Sequence, residues 1–342
     1  MSAFEPRPTR FDRRRFLATG PAVVLLANAG TARAQAGTPA AGSPVGGGKW
    51  TFTDDRGVTT VLPAPPERVV AQVSAAAALW DYGVRPVGIF GPSQREDGTQ
   101  DPQSGNMDLA EVVSIGEIWG DFDLEEFVAL EPDLLVSQLY ADSPLWYVPE
   151  EVAETVAGLV ATVGIQVQGV SIRRVLERFA ELAGDLGADL DSSANVAARE
   201  EFLAAEDDLR AAIVEKPGLS VIAVAGDHDT LYVANPEFAK DLIYFRELGL
   251  DVVPVDGDEF WDALSWEQAN KYPADLILND ARTQSLTLEQ LSEFETWRAL
   301  PAVVAGQVAG WYPEPSYSYL GYAPVLRELA AAIHAADASV VP

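Results

Sequence analysis

Short apolar runs of strand length alternate with segments of helical period along most of this chain. VVAQV (69–73), VRPVGIFG (84–91), VVSIG (112–116) and LLVSQL (134–139) are apolar enough to be strands buried on both faces. Between them, SAAAALWDYG (74–83) reads as a helix capped by Ser74 and stopped by Gly83, and LEEFVAL (124–130) as a helix capped by Asp123. VPEEVAETVAGLVATVG (148–164) and SIRRVLERFAELAGDLG (171–187) predict two more helices, with the strand IQVQGV (165–170) between them. Ahead of all these, TFTDDRGVTTVL (51–62) carries β-branched residues on both sides of Asp55-Arg56-Gly57 and predicts a hairpin.

One segment breaks the alternation. Residues 192–216, SSANVAAREEFLAAEDDLRAAIVEK, are rich in Ala, Glu, Leu and Arg, with Ser192 or Ser193 as cap and Pro217-Gly218 as stop. The spacing predicts one long helix, Val196, Phe202, Leu203, Leu209 and Ile213 on one face and Glu200, Glu206 and Asp207 pointing away. Beyond it the strand–helix grammar restarts. LSVIAVAG (219–226), a short strand within LYVANPEFAKDLIYFRELG (231–249), DVVPVD (251–256), LILND (276–280) and QVAGW (307–311) read as strands. Helices follow in the rest of 231–249, in WEQANKY (266–272) capped by Ser265, and around APVLRELAAAIHAA (323–336).

The two halves also echo each other. Leu124-Glu125, a helical turn and Pro132-Asp133 precede LLVSQL; Trp266-Glu267, a helical turn and Pro273-Ala274-Asp275 precede LILND. Matched halves on either side of a long helix favour two Rossmann-like α/β lobes, residues 50–191 and 217–342, over one domain in which 192–216 is an ordinary core helix. The rigid helix 192–216 would bridge them, and a ligand cleft would lie between the lobes.

Composition narrows the partners. Lys and Arg number 23 against 52 Asp and Glu, and the chain has no cysteine and two histidines, His228 and His334. Disulfides, thiol catalysis and Cys-ligated zinc are excluded, and a direct zinc or manganese carrier lacks its histidines. Six of the basic residues and two of the acidic ones fall in positions 1–34; without that segment 17 oppose 50, a net charge of −33. Such a surface repels phosphate backbones, so no nucleic-acid partner is expected.

The first 34 residues read as an export signal. RRRFL (13–17) precedes an apolar run from Phe16 to Gly30, and Ala32-Arg33-Ala34 is a small-x-small cleavage site. The paired arginines resemble a twin-arginine signal. The run is shorter than the ~20 residues that span a bilayer. Residues 35–49, rich in Gly, Ala and Pro, read as a flexible linker.

PPERVVAQVSAAAALWDYGVRPVGIFG (65–91), DLEEFVALEPDLLVSQLY (123–140), LSWEQANKYPADLILND (264–280) and WRALPAVVAGQVAGW (297–311), in this order and with the long helix, resemble the substrate-binding proteins of ABC importers for iron–siderophore complexes, haem and cobalamin. The resemblance implies two lobes with little hinge motion, no enzymatic activity, a ferric siderophore as cargo and an ABC permease as partner. It also implies a monomer outside the cytoplasm, in the periplasm or on the outer face of the membrane. Iron would arrive inside the chelate, so no cofactor and no protein ligand to the metal are expected. The chain departs from lipid-anchored relatives in having no cysteine at the cleavage site. Retention therefore stays open between a free periplasmic form, an uncleaved signal and retention by the partner.

The carboxyl ends of parallel strands are where such folds hold ligands. That rule selects Gln72, Ser74, Phe90, Trp119, Tyr140, Trp261, Asn279, Asp280, Arg282, Trp311 and Tyr312 as ligand-binding candidates. Trp146, Tyr147, Asp227 and His228 lie on the same loops. Aromatic density at these loops is the clearest local signal, against ordinary core packing as the competing role. Trp119, Tyr140 and Trp261 match ligand-contact positions of similar siderophore binders. Some relatives place an arginine where Trp119 stands, so Arg282 is the alternative source of positive charge, or else the chelate is neutral or cationic, such as a hydroxamate. For haem, His228 and Tyr140 compete as axial ligand. Glu125 and Glu267 match the family's paired glutamates that dock arginines of the permease. An exported enzyme or a sensor domain is the alternative from another class, but AQVSA around Ser74 lacks the GxSxG elbow.

Overall fold

The computed structural model describes residues 48–95, 97–140 and 145–341. The export signal and nearly all of the linker lie outside the described residues. The chain opens with the hairpin β1 (Trp50–Thr53) and β2 (Thr59–Leu62), antiparallel and turning at Asp54–Gly57, where Gly57 adopts a φ of +75°. The first sheet comprises β3 (Val69–Gln72), β4 (Gly88–Phe90), β5 (Val113–Ser114), β6 (Leu134–Leu139) and β7 (Ala161–Gln166), all parallel in the order β5-β4-β3-β6-β7. Its helices are α1 (Val73–Asp81), α2 (Leu124–Ala129), α3 (Glu150–Leu159) and α4 (Ile172–Asp185).

Helix α5 (Ser193–Glu215) then leads to the second sheet. That sheet holds β8 (Ser220–Gly226), β9 (Thr230–Ala234), β10 (Asp251–Val252), β11 (Trp261–Ser265), β12 (Leu276–Asp280) and β13 (Val308–Trp311), in the order β11-β9-β8-β12-β13 with β10 beside β8. β8, β10, β12 and β13 are parallel; β9 and β11 form an antiparallel edge. The second lobe adds α6 (Lys240–Glu247), three one-turn helices α7 (Leu288–Leu291), α8 (Glu295–Arg298) and α9 (Pro301–Val304), and the closing α10 (Tyr319–Ala335).

Each sheet is apolar on both faces because its strands alternate between two cores. Val70, Leu135 and Phe90 face a first-lobe cluster with Ile115 and Phe127; Ile222, Val224 and Ile277 face a second-lobe cluster with Trp266 and Trp297. The other faces share a single cluster. Val69, Ala71 and Val136 of the first sheet join Val221, Ala223 and Leu278 of the second through Phe179 on α4, Phe202 and Leu209 on α5, and Leu326 on α10. The sheets are separate, yet the lobes are fused along α5 by common apolar packing.

Several expectations are corrected. The helix expected over 148–164 ends at Leu159, because the β-branched Thr162 and Val163 and Ile165 pair with β6 as strand β7. Ser74 does not cap α1: Gln72 does, its Oε1 accepting from the Ser74 amide at 2.8 Å. Ser265 makes no side-chain cap, and only one 3-10 turn, Trp266–Gln268, forms where a helix over 266–272 was expected. On α5, Phe202, Leu209 and Ile213 are buried and Glu200 and Asp207 exposed as expected, but Val196 and Leu203 are exposed and Glu206 is 7% exposed, against expectation. Strand β11 was not foreseen. Ser192 and Asp123 do cap their helices, accepting from Asn195 N and Glu126 N.

Candidate functional site

The carboxyl ends of β3, β6 and β12 bring Gln72, Tyr140 and Asn279 to the face where the lobes meet. The segment 313–318, between β13 and α10, belongs to the second lobe by chain order but is fastened to the first. Ser74 Oγ donates to the Glu314 carbonyl at 2.9 Å, and Ser316 and Ser318 hydroxyls donate to Asp81 on α1. Further ties cross between lobes: Thr283 N to Asp101 at 2.9 Å, Arg95 to the Ala281 carbonyl at 2.8 Å, and Gln284 Nε2 to Tyr147 Oη at 3.2 Å.

A continuous run of rings crosses the same gap. Trp119 packs on Trp146 (centroids 4.8 Å apart), Trp146 on Tyr140 (4.5 Å), Tyr140 on Phe260 (6.3 Å), Phe260 on Trp261 (5.0 Å) and Trp261 on Trp311 (5.6 Å). The first three rings come from the first lobe and the last three from the second. Trp119 is 52% exposed and forms the outer lip; Trp311 is buried at the inner end, its Nε1 donating to Asp241. Offset and edge contacts of this kind hold the rings as a rigid apolar wall. Tyr147, beside Trp119 and Trp146, has a φ of +66°, a strained conformation for a non-glycine residue. Its loop is held there because the Trp146 amide donates to Gln138 O and Ser137 Oγ donates to Trp146 O.

Beside the rings lies a buried ionic cluster. Tyr140 donates its hydroxyl to Glu314 Oε1 at 2.6 Å, and Arg282 Nη1 donates to Glu314 Oε2 at 2.7 Å. Arg282 Nε and Nη2 are held by Asp280, the latter at 2.6 Å. Burial pushes the Tyr140 hydroxyl well above its ordinary value, and the Glu314 charge pushes it further, so Tyr140 stays a protonated donor. Burial also raises Asp280, against the opposing pull of Arg282. Arg282 was one of two expectations, a source of positive charge, beside a neutral or cationic chelate; its fork is occupied by two carboxylates.

Several buried polar atoms in this region have no hydrogen-bond partner among the described residues: Gln72 Nε2, both terminal atoms of Gln138 and Gln103, Trp146 Nε1, Asn279 Oδ1 and Gln284 Oε1. Buried amides are ordinarily satisfied, so such a concentration marks groups that meet a ligand or ordered water.

The remaining candidates fall elsewhere. Phe90 is packed in the first-lobe core, edge-on to Phe122. Tyr312 turns to α10 and donates to Glu328 at 2.9 Å. Asp227 is used within its own turn, accepting from Asp229 N, Thr230 N and Tyr232 Oη, and His228 is exposed beside it. Glu125 and Glu267 are exposed, each at the first turn of its short helix, one per lobe. Sequence reasoning missed Glu314, Phe260, Lys240 and Gln138, which lie in irregular segments or at element ends without a periodic signal. Among the described residues no group of three or more His, Asp or Glu side chains is placed to hold a metal ion, and no helix is long and apolar enough to cross a membrane.

The family model described as periplasmic binding protein matches residues 70–315. The crystal structure of DesE, a ferric-siderophore receptor protein from Streptomyces coelicolor, is similar with a TM-score of 0.81 and 39% identity, over 84% of this chain and 99% of that one. A siderophore periplasmic binding protein from the fuscachelin gene cluster of Thermobifida fusca shares the fold at a TM-score of 0.58 and 21% identity, over 79% of this chain and 97% of that one. The Fe(3+)-citrate-binding protein YfmC of Bacillus subtilis (strain 168) is 21% identical over 255 residues, 75% of this chain and 76% of that one.

Proposed function

This chain belongs to the periplasmic binding protein family, and from that premise we propose that it captures a ferric siderophore outside the cytoplasm and delivers it to an ABC importer. It is a binding protein, not an enzyme. The observation that carries the reading is the run of six rings from Trp119 to Trp311, three from each lobe, beside unsatisfied buried amides. Rings supply apolar area around a bulky chelate at low entropic cost, and amides orient its carbonyl and N–O groups. Thirty-nine per cent identity to a ferric-siderophore receptor supports the same cargo class.

A hydroxamate-type chelate is the favoured cargo. The Arg282 guanidinium is shared between Asp280 and Glu314, which leaves it little capacity for a polyanion. A strongly anionic catecholate would be seated against these two buried carboxylates, whose guanidinium partner is already engaged, an unfavourable arrangement. Iron enters as cargo inside the chelate and needs no protein ligand. Glu125 and Glu267, one on each lobe, offer two carboxylates to basic residues of a permease. The protein works as a monomer, exported under the arginine-rich signal of residues 1–34.

Tryptophan fluorescence tests the cargo, because Trp119, Trp146 and Trp261 line the wall. Ferric trihydroxamate, tris-catecholate and citrate, haem and cobalamin are titrated in parallel. Sub-micromolar quenching by the trihydroxamate is expected. Quenching by haem or cobalamin alone would replace the siderophore with those ligands, and quenching by none of the panel would remove the carrier reading.

A further inference from the structure

Lys240, the first residue of α6, is 2% exposed, and its side chain makes no ion pair within 4.0 Å among the described residues. Its surroundings are rings and acids already engaged. Nζ lies 5.8 Å from the Tyr140 ring centroid and 5.4 Å from that of Tyr317. Asp241, next in the chain, accepts from Trp311 Nε1 and Leu242 N. Glu314 accepts from Tyr140 and Arg282, and Asp280 from Arg282. An ammonium has three donors, and ring faces offset only part of the cost of taking it out of water. Burial depresses the proton affinity of Lys240; the charges of Asp241 and Glu314 raise it again, and Arg282 lowers it.

We infer that Lys240 is a cargo-gripping residue, its ammonium donating hydrogen bonds to acceptor oxygens of the chelate seated against Tyr140 and Phe260. The inference rests on the carrier reading above. The cargo then supplies the partner that Lys240 lacks among the described residues. Hydroxamate oxygens carry negative charge locally even when the whole chelate is neutral, so they suit the lysine without needing the occupied Arg282. Chelate oxygens also favour the charged amine, so loading draws a proton onto Lys240 wherever the free protein holds it partly neutral.

The composition makes this measurable. Lys49, Lys216, Lys240 and Lys271 are the four lysines of the chain. With lysine labelled at Cε by carbon-13, an NMR pH titration of the full chain is run with and without gallium(III) trihydroxamate, a diamagnetic stand-in for the ferric chelate. One signal, absent from Lys240→Met, is expected to titrate below the others and to move up by about one pH unit or more on loading. Lys240→Met is expected to weaken ferric trihydroxamate binding about ten- to hundredfold, with the melting temperature of the unloaded protein unchanged or higher. Wild-type affinity in Lys240→Met, or a lysine signal that does not move on loading, overturns the inference while leaving the carrier reading intact. A melting temperature that falls together with affinity, with the wild-type signal unmoved, assigns Lys240 a structural role. If Lys240→Met does not fold, the wild-type titration decides alone. Absence of trihydroxamate binding by the wild type, with another chelate of the panel bound, overturns the inference and the hydroxamate preference but not the carrier reading; only binding of none of the panel removes both.

Discussion

Asp133 and Asp275 stand at equivalent places in the two lobes and perform the same task. Each lies just before a central strand and grips the start of its neighbour: Asp133 accepts from Glu67 N and Arg68 N ahead of β3, and Asp275 from Ser220 N and Oγ at the start of β8. Asp275 goes further, accepting from Val340 N and Val341 N and so fixing the end of the chain. Burial alone would raise the Asp275 carboxyl, but these donors outweigh it and hold it below its ordinary value of 3.8. A depressed folded value stabilises the protein above the unfolded value, and that stability is lost as pH falls through the folded one. Asp275→Ala is therefore expected to cost roughly 2–4 kcal/mol in urea unfolding at neutral pH, against about 1–2 kcal/mol for Asp133→Ala. The gap between wild type and Asp275→Asn should narrow below pH 3.8. This pair was legible in the sequence as the repeated Pro/Asp break. Glu314 was not, because EPSYS (314–318) carries no period. What places Glu314 is a tertiary event, the fastening of 313–318 to Ser74 and Asp81.

At the scale of elements, α5 shows where patterning succeeds and where it is misread. Its length, its Ser192 cap and its stop near Pro217 follow from composition. Phe202, Leu209 and Ile213 face inward as expected, but Glu206 was misplaced because it was sorted by charge and not by position. It lies four residues after Phe202 and three before Leu209, on the apolar face, and the helical period alone would have put it inside. Its carboxylate receives Arg173 from α4, Arg210 from α5 itself and Tyr244 from α6, so one side chain joins three helices. Its removal leaves these donors unpaired. Glu206→Ala is expected to lose about 2 kcal/mol of stability, whereas Glu200→Ala and Asp207→Ala, both exposed, should stay within about 0.5 kcal/mol. Chemical denaturation of the three variants checks the contrast; equal losses would mean that Glu206 is not a junction. The ends of β7 and the whole of β11 were the other gaps. ATVG continues an apolar helical pattern, and only pairing with β6 makes it a strand. β11 exists because Ala263 and Leu264 find the free edge of β9.

For the whole molecule, two lobes and their order were visible in the repeat, but their coupling was not. The expected design was two lobes joined by a rigid helix, with little hinge motion. The structure adds a core shared across α5 and the fastening of 313–318 to the first lobe. Fused lobes keep Glu125 and Glu267 at a fixed separation, as the two-point dock proposed above would require. Replacing both with Lys is expected to abolish chelate uptake by cells while leaving chelate affinity unchanged, since neither belongs to the ring wall; lost affinity would place them in the cleft.

The same fusion sets how the chain unfolds. If each sheet had private cores alone, with no shared cluster, calorimetry would resolve two transitions. With Val69 and Val221 in one apolar cluster through Phe202 and Leu209, neither lobe can open without exposing the core of the other. A single transition is therefore expected, with calorimetric and van 't Hoff enthalpies equal. Saturating chelate should raise it as one unit by mass action. Asp81→Ala, which frees Ser316 and Ser318, should lower that single peak without splitting it, because apolar contact and not the hydrogen bonds carries the coupling. Two peaks in the wild type would return the lobes to independence and remove the rigid separation on which the docking proposed for Glu125 and Glu267 would depend.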